Sequence, residues 1–271
     1  MEPLAHSARP KEGIPPQYYS DHVREVIELA SQNACQAAYY WCAEKDGLLA
    51  AVRLAAEFHD LGKLEQANQD VLMSGSQRKS LPVNHVDAGV AHLFDPGINN
   101  LLAASLVHSH HLGLPDFQDQ RLNGPGKVLR DLKDSELGQA TMSLTDQRLT
   151  GYLKIHEKVL KSLIPEQEDA PGRGPSPLPA PLFRIALSCL VDADHFDTSR
   201  HYGKVRSRAV PPLSPHERLA LLDAYVAALP KNEKDERGGL RSEVYTACRN
   251  ADPNPGLYAC DSPVGRSESV V

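Results

Sequence analysis

The chain has 271 residues, 41% of them apolar, with 29 basic and 35 acidic side chains and a formal charge of −6. It is long and apolar enough to bury a core, as one large domain or one domain with an appendage. Its acidity argues against holding duplex DNA by bulk positive charge, and no apolar run reaches the roughly 18–20 residues needed to cross a bilayer.

The opening segment, MEPLAHSARPKEG, lacks the apolar core of a secretion signal, so the chain is expected in the cytoplasm with residues 1–17 as a flexible lead-in. Ser20 reads as the N-cap of a first helix running to about Lys45, with Val23, Val26, Ile27, Ala30, Ala34, Ala38 and Trp41 on one stripe and Gly47 ending it. Leu48 to Leu64 reads as a second helix, apolar enough to be central. A loop rich in Ser, Gly, Gln and Lys, Met73 to Ser80, leads to a short helix near His85. Another helix runs from Ile98 to His111, stopped by Gly113 and Pro115.

Leu144 to Ile164 is amphipathic and charged, hence a surface helix. Composition makes Pro165 to Pro181 a disordered loop. Helix resumes from Leu182 to Phe196 and again from Pro215 to Leu229, the latter capped by Ser214, with Pro at its first position and Glu217 at its third. The tail from Asn250 is rich in Pro, Gly and Ser and is expected to be poorly ordered. Strand-like alternation is nearly absent and no internal repeat is found, so the predicted fold class is all-α. The five cysteines (Cys35, Cys42, Cys189, Cys248, Cys260) are odd in number and form no CxxC, which favours buried free thiols over a disulfide framework.

Chemistry concentrates in seven side chains: His22, the pair His59-Asp60, His85, the pair His110-His111, and Asp194. Imidazoles and carboxylates on separate helical segments can close around two metal ions, an arrangement suited to splitting phosphate esters. On a helix, neighbours diverge by about 100°, so His59 and Asp60 would straddle a site, the carboxylate bridging two ions while the imidazole binds one. Lys63 follows at i+3 and i+4, on the same face, where its ammonium could hold a phosphate or orient the bridging carboxylate. Burying seven such groups without a partner would cost roughly 1–3 kcal/mol for each unmade hydrogen bond. His-rich ligation favours manganese, cobalt, nickel or iron, with magnesium possible. His6, His92, His156, His195, His201 and His216 read as surface or supporting groups, and Ser188 and Cys189 as packing residues. Arg200, Lys204, Arg206 and Arg208, with His201 among them, form the one acid-free basic strip, either a guide for a nucleic-acid backbone or a solvated loop.

These residues, in this order, resemble the HD phosphohydrolase superfamily. Within it they are similar to the HD nuclease domain of the CRISPR type I helicase-nuclease, which degrades DNA after a surveillance complex has opened an R-loop. The similar stretches are SDHVREV, AAEFHDLGK, NHVDAGVAHLF, ASLVHSHHLGLPD and RIALSCLVDADHFDT, covering about Tyr18 to Tyr202, with weaker similarity through LRSEVYTAC. HDLGK marks the superfamily; HHLGLPD and SCLVDADHFDT point to the CRISPR branch.

The resemblance implies an all-α HD-domain bundle over residues 18–249 with a dinuclear site. One metal would be held by His22, His59, Asp60 and Asp194, and a second by Asp60, His85, His110 and His111. His59, Asp60 and Lys63 would be the catalytic residues. Asp192 remains the alternative to Asp194, and His108 to His110. The implied activity is endonucleolytic and 3'–5' exonucleolytic hydrolysis of single-stranded DNA in target interference, with a surveillance complex as partner and no membrane. A phosphohydrolase of nucleotides or cyclic nucleotides is the nearest rival, and a non-catalytic docking domain the third reading. Residues 250–271, ending GLYACDSPVGRSESVV, resemble the approach to a helicase phosphate loop but lack its Gly-Lys-Thr. No ATPase activity is expected: either the chain ends at the domain boundary or a helicase is supplied by another polypeptide.

Overall fold

Small side chains decide how the central helices meet. The computed structural model describes residues 2–39, 45–75, 80–160, 180–204, 214–229 and 236–251, and they are mostly helical, in keeping with an all-α chain. Helix α1 (Tyr19–Ala38) buries Val23, Val26, Ile27, Ala30, Ala34 and Ala38, the expected stripe; Trp41 lies outside the described residues. Helix α2 (Lys45–Phe58) buries Leu48, Ala51, Val52, Ala55 and Ala56. Helix α8 (Ala180–His201) packs on both, through Ala186, Leu190 and Ala193. Alanines along these contacts let the backbones approach closely, so side chains projecting from one helix reach its neighbour's face.

Several boundaries differ from expectation. Helix α1 starts before Ser20, whose hydroxyl donates to Glu2 instead of capping. Gly47 sits in the first turn of α2 and ends nothing. The second helix stops at Phe58, and a separate 3-10 turn, Leu61–Leu64, follows the His59-Asp60 break. Helix α3 (Gln66–Met73) was not foreseen. Helix α4 (Val86–Leu93) begins just after His85, and α5 (Leu101–Ser109) starts later than Ile98, with the Asn100 side chain accepting from the Ala103 N–H at 2.9 Å. A short α6 (Phe117–Leu122) is capped by Asp116.

Helix α7 (Thr141–Leu160) corrects the surface reading of this segment: it packs on α4 and buries Leu144, Tyr152, His156 and Leu160. Its charged residues masked this, because one face still meets solvent. The lead-in also proved structured. Strand β1 (Leu4–His6) pairs antiparallel with β2 (Gln17–Tyr18), turning through Gly13, whose φ of 71° suits a residue without Cβ. Strands of three and two residues are too short to display alternation.

The chain divides into two compact units, Met1–Ser207 and Arg208–Val271; the expected domain over 18–249 spans both. In the second unit, α9 (Pro215–Ala228) and α10 (Glu236–Arg249) meet at Asp223, which accepts from the Tyr245 hydroxyl. Ser214 holds the N-cap position of α9 without a side-chain hydrogen bond. Most of the loop 165–181, from 165 to 179, and the tail from residue 252 lie outside the described residues. Among the described residues, no helix is long and apolar enough to cross a membrane. Cys189 is buried, whereas Cys35 and Cys248 are exposed, against the expectation of buried thiols.

One ion pair pins α4 to the segment that leads into α7. The buried Asp87 carboxylate accepts from Arg130 Nε and Nη2 at 2.7 and 2.9 Å and from the Asp131 N–H at 2.9 Å. Asp87→Ala removes two of the guanidinium's charge-assisted bonds and leaves it Asp146 at 2.8 Å, so we expect a loss of about 2 kcal/mol, read as a lower denaturation midpoint in urea.

Candidate metal centre

Each candidate ligand lies where a helix begins, ends or meets another. His22 is in the first turn of α1, and Asp194 faces it from α8, which continues past the expected end at Phe196 to His201. His59 and Asp60 occupy the break after α2; His85 stands at the N-cap of α4; His110 and His111 close α5. The break matters. Because α2 stops, the Lys63 N–H bonds the Asp60 carbonyl at 2.9 Å in the 3-10 turn, returning its ammonium to 2.6 Å from Asp60 Oδ2. Lys63 thus reaches Asp60 through a 3-10 turn and not along the α-helical face that was expected.

All seven side chains come together. His22 Nε2 lies 3.1 Å from Asp60 Oδ2, 3.4 Å from Asp194 Oδ1 and 3.3 Å from His59 Nε2. His59 Nε2 is 3.4 Å from Asp60 Oδ2 and 3.9 Å from Asp194 Oδ1. Across the same carboxylate, Asp60 Oδ1 is 3.4 Å from His85 Nε2, which is 3.0 Å from His111 Nε2. The His110 ring centroid is 3.9 Å from that of His111. Two triads, His22-His59-Asp60 and His85-His110-His111, each offer ligand atoms within 4.8 Å of one another.

Hydrogen bonds set which imidazole nitrogen is free to bind. His59 Nδ1 donates to the Ala56 carbonyl at 2.8 Å and His110 Nδ1 to the Val107 carbonyl at 2.6 Å. A carbonyl only accepts, so Nε2 keeps its lone pair and faces the cluster. His110 Nε2 is buried with no hydrogen-bond partner, a cost a cation would relieve. These donor sets could bind a metal, and oriented Nε2 atoms with carboxylates suit a borderline divalent cation.

Electrostatics point the same way. Burial lowers the pKa of His59, His85 and His110 and keeps them neutral, as a ligand must be. Burial opposes ionisation of Asp60, yet the Lys63 ammonium and His59 and His22 hold its carboxyl well below the usual range. Asp194 is likewise lowered against burial by its bond to His22. His22 moves the other way: burial disfavours its charge, but Asp194, Asp197 and Asp60 raise it to about 10.

Asp197 escaped the sequence reading. Buried on α8, it accepts His22 Nδ1 at 2.7 Å, while Gln17 donates to it at 2.7 Å and Arg200 at 3.1 Å. The carboxylate–imidazole pair orients His22 Nε2 towards the cluster. Its signal was present as i+3 spacing from Asp194. Gly62 has a physical reason too: its N–H donates to the His85 carbonyl at 3.0 Å, and a Cβ there would fall 2.5 Å from that oxygen. Only glycine lets the two triads approach so closely.

Of the alternatives, Asp192 is exposed, and the triad around His85 gathers His110 and not His108, whose Nδ1 donates to the Leu129 carbonyl at 2.8 Å. Of the other histidines, read as surface or supporting groups, His195 and His216 are exposed, while His156 is buried with Nδ1 3.0 Å from the Tyr19 hydroxyl. Ser188 is exposed and does not pack. Arg200, read as part of a basic strip, is engaged by Glu25 at 2.8 Å and by Asp197; Arg206 and Arg208 lie outside the described residues. No protein family, curated protein or solved structure matches the chain.

Two outcomes follow from this geometry. Asp197→Ala should weaken cation binding about 10–100-fold without loss of helical circular dichroism, as measured by manganese titration. A cation binding His22 Nε2 displaces a proton held up to about pH 10, so the apparent affinity should rise about tenfold per pH unit between pH 7 and 9. Titration calorimetry across that range reads the slope; a flat profile would contradict it.

Proposed function

We propose that the protein is a metal-dependent nuclease hydrolysing phosphodiester bonds of single-stranded DNA. The observation that carries this reading is one carboxylate, Asp60, set between two imidazole clusters, with Oδ2 towards His22 and His59 and Oδ1 towards His85. His22, His59, Asp60 and Asp194 would hold one divalent ion, and Asp60, His85, His110 and His111 the second. Bound there, the pair supplies Lewis acidity towards the scissile phosphate and a nucleophilic water at neutral pH.

The chain's own residues do the rest. Lys63 orients the Asp60 carboxylate and adds positive charge where a phosphate gathers negative charge. His111 is exposed and His85 partly so, which puts the substrate's entry on that side. Leu112, one residue on, is 73% exposed and offers an apolar edge to a base. The resemblance of HHLGLPD and SCLVDADHFDT to the CRISPR branch supports a role in target interference, with endonucleolytic and 3'–5' exonucleolytic cleavage. By the same resemblance, a surveillance complex and a helicase domain or subunit would deliver the strand.

Circular and linear single-stranded DNA with manganese, cobalt, nickel, iron or magnesium tests the reading. We expect cleavage by the wild type, its loss in Asp60→Ala and His59→Ala, and a fall of about 10²–10³ in Lys63→Ala. Full activity in Asp60→Ala would reject the site. Release of phosphate from nucleotides without DNA cleavage would favour the nucleotide phosphohydrolase.

A further inference from the structure

The two halves of the centre differ in their access to water. His22 and His59 are 0% exposed, Asp60 1% and Asp194 6%, whereas on the other side His110 is buried, His85 partly so, and His111 exposed. What covers the inner half is the β1–β2 hairpin, which touches it at three points. His6 packs its ring edge-on against His22, centroids 4.9 Å apart, with Nε2 3.2 Å from Thr198 Oγ1 on α8. Gln17 of β2 donates to Asp197, which holds the other side of the His22 ring. Gln69 spends its whole amide on the junction: it accepts from the Leu4 N–H at 2.8 Å and donates to the carbonyls of Leu4 at 2.9 Å and Lys63 at 2.7 Å. Outside this layer, the Arg9 guanidinium stacks 3.7 Å above the Tyr202 ring, whose hydroxyl donates to the Ser7 carbonyl at 3.2 Å.

We infer that His6 is a positioning residue for the inner cation site, and that the N-terminal hairpin closes that site so that its cation exchanges far more slowly than the outer one. The inference rests on the dinuclear reading above. On the hairpin's side a cation leaves the inner half by lifting the hairpin, which breaks the His6–Thr198, Gln17–Asp197 and Gln69–Leu4 hydrogen bonds together; on the other side it must pass the outer half and the shared Asp60. The outer half, bordered by His111, needs no such opening. His6 acts through His22: its ring fills the space beside the imidazole and fixes the plane in which Nε2 points at Asp60 and Asp194. A ring of similar shape without nitrogen should therefore do much of the same work.

The test follows manganese retention in the full chain. The protein is loaded with manganese chloride and challenged with excess chelator, and bound metal is counted over time by elemental analysis. The wild type should lose one equivalent fast and the second at least about tenfold more slowly. His111→Ala should remove the fast equivalent. His6→Ala should speed the slow phase about tenfold, a change of the size expected for loss of a group supporting a ligand, and His6→Phe should restore most of the retention. Arg9→Ala, which loosens the hairpin without touching the cluster, should speed the slow phase as well. Loss of both equivalents in one phase, or an unchanged slow phase in both His6→Ala and Arg9→Ala, overturns the inference while leaving two bound cations in place. A wild type that binds no manganese would instead defeat the dinuclear reading itself.

Discussion

The centre depends on a single shared carboxylate. Asp60 faces His22, His59 and Lys63 with one oxygen and His85 with the other, so its carboxylate lies within bonding reach of both triads, whose rings also meet edge-on at His59 and His110. That position exists because α2 ends at Phe58. Had the helix continued through Leu64, Asp60 would follow the α-helical path, and its two oxygens would not be free to address helices on either side. The tight 3-10 turn at Leu61–Leu64 and the close backbone contact at Gly62 hold the break open.

Around that carboxylate the protein gathers more negative charge than an apolar interior tolerates. Asp60, Asp194 and Asp197 are all buried. Buried charges persist only when paired and fully hydrogen-bonded, and here Lys63, His22, Gln17 and Arg200 share the task. The stability of the core and the chemistry of the site are therefore bound to the same contacts. The alanine stripes of α1, α2 and α8 add the geometric condition, since larger residues would push His22 and Asp194 out of reach.

Much of this was legible in the sequence, and the reason is periodicity. A 3.6-residue stripe identified α1, and apolar runs ending in polar pairs located His59-Asp60 and His110-His111. Those signals depend on long, regular segments. Where structure is short or its burial is polar, the reading failed. The hairpin at Leu4–Tyr18 has too few residues to alternate, so the lead-in passed for flexible chain. Helix α7 buries His156, Thr141 and Thr145, which hydropathy counts as exposed. Asp197 shared a face with Asp194, yet a second carboxylate one turn along looks the same in sequence whether it meets water or His22. The turn at Leu61–Leu64 was absorbed into a helix because Leu61, Lys63 and Leu64 are good helix formers and outweighed Gly62.

Helix α8 carries a constraint of its own. Asp194 and Asp197 face the centre from adjacent turns, while Asp192, His195 and Phe196 between and beside them are exposed. Each residue advances the helix by about 100°, so one amino acid gained or lost between Ala193 and Asp197 would swing one of the two acids into solvent. Replacements at the outward positions leave that phase intact. Evolution can thus repaint the outer surface of α8 freely, but it cannot change the helix's length at this point without dismantling the centre.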